Sequence, residues 1–133
     1  MVSKKNILLL IILIVLDQLT KLYFKNKNFF IFNYTENTGA AFSILKNQIN
    51  LLIIISIIVA LIIIYYLIKS KQKRLELSLI FILSGTLGNL IDRISFKYVR
   101  DFIDLKIWPI FNLADIYNVL GFIILIIYFY KKR

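Results

Sequence analysis

The stretch "YVRDFIDLKIWPIFNLAD", from Tyr98 to Asp115, places three aspartates in a chain that is 60% hydrophobic. They are Asp101, Asp104 and Asp115. A carboxylate near hydrocarbon costs free energy unless it is paired or used. Two carboxylates sharing one site cannot both ionise readily. One keeps its proton and serves as an acid, and the other takes a proton from water. This is how an aspartic-protease arrangement hydrolyses a bond without histidine. The chain has neither histidine nor cysteine. The commonest general base and metal ligand are therefore missing, as are thiolate chemistry, disulfides and cysteine-ligated metals. Any catalysis must draw on Asp, Glu, Lys, Tyr, Ser or Thr, and no cofactor or metal is expected.

The elements that must position these acids are apolar. A soluble domain of 133 residues could not hide so much greasy surface in one core. The composition reads as a single integral-membrane domain over residues 1–133. Four segments approach the length needed to cross a bilayer, at about 7–24, 49–68, 75–92 and 113–130. The first starts as a secretory signal peptide would, with Lys4 and Lys5 before "ILLLIILIVL". It then shows Asp17, Gln18 and Lys21 where small residues would mark a cleavage site, so a retained span is expected. The third is greasy at first and then carries Ser84, Gly85, Thr86, Gly88 and Asn89. A net charge of +10 would suggest nucleic acid in a soluble protein. Here the basic residues fall in short stretches between apolar runs and read as contacts with anionic membrane lipids. The densest stretches, Lys69–Arg74 and Lys131–Arg133, place both termini in the cytoplasm by the positive-inside rule.

With that topology the unusual polar residues collect at one membrane face. Asp17 and Lys21 close the first span, and Gly85, Asn89, Asp92 and Arg93 close the third. Asp101, Asp104, Asn112 and Asp115 surround the start of the fourth, and Asn37 and Gly39 lie in the first outer segment. Gly85, Asn89 and Arg93 share one helical face at i, i+4, i+8. Asp17 and Lys21 can pair at i, i+4. Asp101 is expected in the loop before the fourth span, where it can meet Asp115 at one depth. The outer segment Lys25–Gln48 is aromatic and β-prone over Phe29–Thr35 and turn-like over Glu36–Gly39. A small sheet-like platform on the membrane surface is expected. Simpler roles stand beside these. Asp17–Lys21 can be an anchoring ion pair, Asp92 a helix-end or surface charge, and Asp104 a solvated loop residue. Asn112 can be a helix cap, and Gly85 and Gly88 points of close helix approach. Arg93 needs a carboxylate, a carbonyl or a lipid phosphate.

The motifs resemble those of lipoprotein signal peptidase (signal peptidase II), the membrane aspartic protease family of bacteria. The blocks are "DQLTK" at Asp17–Lys21, "NTGAAF" at Asn37–Phe42, "GTLGNLIDR" at Gly85–Arg93 with "VRDF" at Val99–Phe102, and "FNLAD" at Phe111–Asp115. They occur in that family's order and cover nearly the whole chain. The resemblance implies an all-α membrane fold of four transmembrane helices with a small extracytoplasmic β-cradle. It implies that Asp101 and Asp115 are the catalytic pair. Asn89, Arg93 and Asn112 would line the site and hold substrate or dyad, Asn37 and Gly39 would border the substrate groove, and Asp17 and Lys21 would support structure. The implied substrate is a prolipoprotein whose cysteine already carries diacylglyceryl, cut just before that cysteine. Thr86, Ile116 and Tyr117 stand where the family often has small residues, so the groove is expected to differ in detail.

Other classes are weighed against this one. A small transporter or channel would place an acid pair near the midplane, between broken helices, whereas these acids gather at one interface. A scaffold subunit would tolerate loss of Asp101. A rhomboid-type serine protease lacks its histidine here, and a Ser–Lys peptidase would have only Ser43 and Lys46 as loose candidates. The expected partners are lipid-modified prolipoprotein and membrane lipids, not nucleic acid, and the expected state is a monomer.

Overall fold

The computed structural model describes residues 2–40 and 44–132. Four helices are long and apolar enough to cross a membrane. They are α1 (Lys4–Tyr23), α2 (Ile49–Lys69), α3 (Lys73–Phe96) and α4 (Leu113–Lys132). Helices suit such segments because hydrocarbon offers no partner for an open backbone group. The expected spans match these elements within a few residues. The largest difference is α3, which runs four residues past the expected end. It stops where Lys97 turns left-handed, with φ 67°, and its N–H caps the carbonyl of Arg93.

α3 is the central helix, packed against α1, α2 and α4. The outer helices turn leucine, isoleucine and phenylalanine outward, as lipid-facing helices do. Close approach to α3 depends on glycine. A methyl group at Gly85 would lie 2.3 Å from the Ala114 carbonyl oxygen, and one at Gly88 would lie 2.5 Å from Oδ2 of Asp17. The role in close helix approach holds for both.

A three-stranded antiparallel sheet lies between the helix ends, in the order β1 (Asn28–Phe29), β2 (Phe32–Asn37) and β3 (Val99–Ile103). The first outer segment supplies two strands of the expected platform, and β2 runs on through Glu36 and Asn37, where a turn was expected, because both pair with β3. The third strand comes from the second outer segment, so Asp101 lies in a strand and not in a loop. β2 and β3 pair Thr35 with Asp101, Glu36 with Arg100 and Asn37 with Val99. Stacked rings fasten the sheet to the end of α1. The Phe24 ring centroid lies 4.3 Å from that of Phe32 and 4.7 Å from that of Phe102.

Candidate active site

Asp101 and Asp115 line one cavity of about 580 Å³. They arrive on different elements. Strand alternation turns Asp101 to the face of β3 opposite Arg100. Asp115 occupies the third position of α4 and forms a capping box with Asn112. The Asp115 N–H donates to Oδ1 of Asn112 at 3.0 Å, and the Asn112 N–H donates to Oδ2 of Asp115 at 3.0 Å. Asn112 is thus a helix cap, as the simple reading held, and it also touches the other acid. Its Nδ2 donates to Oδ1 of Asp101 at 2.7 Å. One asparagine ties the two carboxylates together.

Two further asparagines complete the frame. Asn89 donates from Nδ2 to Oδ1 of Asp115 at 2.8 Å. Its orientation is set by donors on its own oxygen, from Lys21 Nζ and Asn112 Nδ2, each at 3.0 Å. Asn37 donates from Nδ2 to Oδ2 of Asp101 at 3.1 Å. The Gly39 N–H donates to Oδ1 of Asn37 at 2.9 Å, which leaves the Asn37 amide nitrogen facing the acid. Asp101 is 2% exposed. Burial, and then the nearby charge of Asp115, push its carboxyl up to about 7, against the hydrogen bonds from Asn37 and Asn112.

Arg93 lines the same cavity. Its Nη2 donates to the Gly39 carbonyl at 3.3 Å, one of the three kinds of partner expected for it. Among the described residues its Nε has no hydrogen-bond partner. Gly85 lies one turn before Asn89 and presses on α4 at Ala114. Of the "NTGAAF" block, Ala41 and Phe42 fall outside the described residues, as does Ser43.

Behind the acids lies a buried charged cluster. Lys21 and Asp17 are 0% exposed and pair at 2.8 Å, as their spacing predicts. Asp17 also accepts from the Ala114 N–H at 2.9 Å, so it helps to cap α4. Asp92 departs from its expected place. It is fully buried and not at the surface, because Arg100 wraps it with its main-chain N–H, Nε and Nη2 at 2.9, 3.1 and 2.7 Å. Nη2 of Arg100 reaches on to Oε1 of Gln18 at 2.8 Å. This clamp joins α1, α3 and β3 on the side of the strand opposite Asp101. Asp104 is also less solvated than expected. It is 9% exposed and accepts from Asn33 and Lys106, and Lys106 holds its carboxyl below the usual carboxylate range.

Sequence reasoning gave Arg100 and Asn118 no role at this end of the bundle, and placed Gln18 only as part of the polar end of the first span. Arg100 had one available signal, since an arginine beside an acid in a buried strand needs its own partner. Asn118 had another, as a polar side chain three residues into the apolar run after Asp115.

The chain is similar to known proteins over almost its whole length. A family model described as signal peptidase (SPase) II matches residues 9–131. The lipoprotein signal peptidase of Clostridium novyi (strain NT) is 40% identical over 145 residues, covering 96% of this chain and 98% of that protein. That of Clostridium tetani (strain Massachusetts / E88) is 42% identical, covering 96% and 93%. A bacterial membrane enzyme structure obtained by the in meso method at 2.3 Å resolution superposes with a TM-score of 0.87 at 31% identity. It covers 96% of this chain and 88% of the other. Family model, relatives and structure agree over almost the entire length, and so this multi-pass membrane chain belongs to the signal peptidase II family of peptidases.

Proposed function

We propose that the chain is an aspartic endopeptidase that removes signal peptides from diacylglyceryl-modified prolipoproteins, cutting just before the lipidated cysteine. One observation carries this reading. Two carboxylates from separate elements face one cavity and are joined through one residue, Asn112, whose side-chain amide donates to Asp101 and whose main-chain N–H donates to Asp115, in a chain with no histidine and no cysteine.

In the proposed reaction Asp115 is the carboxylate that takes a proton from water, and Asp101 is the protonated partner. The water oxygen bonds to the scissile carbonyl carbon while Asp101 gives its proton to the carbonyl oxygen. The resulting gem-diol then collapses. The proton held by Asp115 passes to the leaving nitrogen, the diol returns a proton to Asp101, and the C–N bond breaks to give an acid and an amine. The raised carboxyl of Asp101 suits the acid role near neutral pH. Asn37, Gly39, Asn89, Arg93 and Asn112 position the acids or the substrate. Asp17, Lys21 and Gly85 hold α1, α3 and α4 in the arrangement that places them. The cavity lies at the end of the bundle away from Lys69–Arg74 and Lys131, which fits an outward-facing site with both termini in the cytoplasm.

The test is incubation of the purified protein in detergent with a diacylglyceryl-modified prolipoprotein, followed by sizing the product. Asp101→Asn and Asp115→Asn should each abolish cleavage, and the double variant should be no worse than either, because groups acting as a unit are not additive. Turnover by either single variant at normal expression would refute the acid pair. Topology is tested separately. A cysteine placed at Asn47 should react with an impermeant thiol reagent in intact cells or spheroplasts, and one at Gln72 should not.

A further inference from the structure

At the end of the bundle away from the acids, the start of α3 and the last turn of α4 enclose a separate cavity of about 300 Å³. Gln72, Lys73 and Arg74 line it from one side, and Tyr128 and Lys131 from the other. Among the described residues, no acid lines it. The side chains of Lys73, Arg74 and Lys131 are exposed, so a ligand can reach them. None of the three forms a salt bridge among the described residues. Glu76, the acid nearest to Lys73 and Arg74 in the chain, is engaged elsewhere, since its Oε2 accepts from Nδ2 of Asn6 at 2.7 Å. Lys69, across the same turn, is also used locally, donating to the Tyr65 hydroxyl at 2.6 Å.

Depth and charge specify the ligand. Tyr65 and Tyr66 near the end of α2, and Tyr130 beside Lys131, are more than half exposed, as tyrosines at a membrane–water boundary are. The cavity therefore lies at headgroup level, where lipid phosphates are the abundant anions. Orienting the chain in the bilayer needs only cations near its surface. It does not need cations from two helices drawn around one cavity, where like charges repel. Water hydrates each cation but carries no charge, so it offsets this repulsion less than an anion seated among them. Arg74 offers a planar fork of donors and the two lysines offer point charges, a set suited to phosphate. Ile127 stands one turn before Lys131 on the same helical face and is exposed. An acyl chain thus has apolar surface to follow below the headgroup.

We propose that this cavity binds the headgroup phosphate of an anionic phospholipid, held by Lys73, Arg74 and Lys131. On the topology proposed above, the lipid belongs to the cytoplasmic leaflet, whose anionic headgroups are attracted to basic pockets between helices. The bound headgroup ties the start of α3 to the end of α4, the two helices that carry Asn89 and Asp115 toward their other ends.

The experiment titrates purified, delipidated protein in detergent with phosphatidylglycerol, phosphatidylcholine or inorganic phosphate. Native mass spectrometry counts the bound lipid, and thermal unfolding follows stability. Phosphatidylglycerol should bind and should raise Tm as its concentration rises. Phosphatidylcholine, whose headgroup has no net charge, and inorganic phosphate should do neither at the same concentrations. Arg74→Gln/Lys131→Gln should bind phosphatidylglycerol roughly 30-fold more weakly. Lys4→Gln/Lys5→Gln removes as much charge from the same end of the bundle but outside the cavity, and should bind as the native protein does. All four side chains are exposed, so neither variant should change Tm in the absence of lipid. Equal weakening by the two variants would reduce the effect to general charge attraction and overturn the site. No binding of phosphatidylglycerol by the native protein, or equal stabilisation by phosphatidylcholine, would overturn it as well. Equal stabilisation by inorganic phosphate would assign the cations to a free anion and overturn the lipid.

Discussion

Nδ2 of Asn112 donates to Oδ1 of Asp101 at 2.7 Å, while Oδ1 of the same asparagine caps α4 through the N–H of Asp115. Structural and chemical duties thus fall on opposite ends of one amide. Asn112→Asp separates them. Aspartate caps a helix as well as asparagine does, so the cap survives, and the loss of the buried Nδ2 donor to Asp101 and Asn89 should lower thermal stability by about 1–3 kcal/mol. The donor to Asp101 becomes a third carboxylate, and cleavage should fall roughly 100-fold or more, the size expected when a unit is broken. Parallel measurement of unfolding and turnover decides it.

The pH dependence follows from Asp101. Its carboxyl is raised from 3.8 to about 7. In the proposed acid role it is lost as pH rises through about 7, so kcat/KM should decline there, with the limb belonging to the pair and not to one residue. Asn37 favours the charged form by donating to it, so Asn37→Ala should move that limb to higher pH. Stability runs the same way. A folded value above the unfolded one contributes stability that is full below about 4 and lost as pH rises through about 7. Asp101→Asn should therefore be more stable than the native protein at pH 8, by about 1–3 kcal/mol, and the advantage should vanish toward pH 4. Thermal unfolding in detergent across that range measures it.

Lys21 serves both the charged cluster and the site. It pairs with Asp17 at 2.8 Å, lies 3.7 Å from Asp92 and donates to Asn89. Lys21→Met leaves buried carboxylates without that charge and should cost about 3–5 kcal/mol. Removing Asp17 as well, in Lys21→Met/Asp17→Leu, should restore only part of this, because Asp17 also caps Ala114. A double-variant cycle by thermal unfolding gives the coupling.

Gly85 sets the spacing between α3 and α4. In Gly85→Ala the new methyl meets a main-chain oxygen at 2.3 Å, which cannot rotate away. The helices must part, at a cost of about 1–3 kcal/mol, and Asp115 moves with α4 away from Asp101 on β3. Cleavage should fall further than stability does. Normal turnover by Gly85→Ala would show that the spacing at this point does not govern the acids.

Much of this could be read from the residues alone, because hydropathy and helical spacing are local properties. Four apolar runs of bilayer length predict four helices within a few residues of those found. Asp17 and Lys21 at i, i+4 predict their ion pair. Asp101 and Asp115, in blocks like those of the family, stand out as the acids that a chain without histidine or cysteine could use. The platform was readable only in part. The β-prone stretch Phe29–Thr35 marks where β1 and most of β2 form, but not their division or the extension of β2 through Asn37. β3 has no such mark, because its pairing with β2 joins residues more than sixty positions apart, and no local pattern encodes that closure.

The sequence by itself determined the spans and the family, and through the family's blocks it singled out Asp101 and Asp115 as the candidate acids, since each rests on residue type and short motifs. Tertiary structure alone decided what surrounds each charge. Asp92 reads as a surface charge at the end of α3, and becomes the buried centre of a clamp because β3 returns Arg100 to it. Asn118 reads as one polar residue in a greasy run, and becomes a seated amide whose buried Oδ1 has no partner among the described residues, because Gly85 admits it against α3. The free energy of a polar group in an apolar chain depends on its partners, and distant segments supply those partners only when the chain folds.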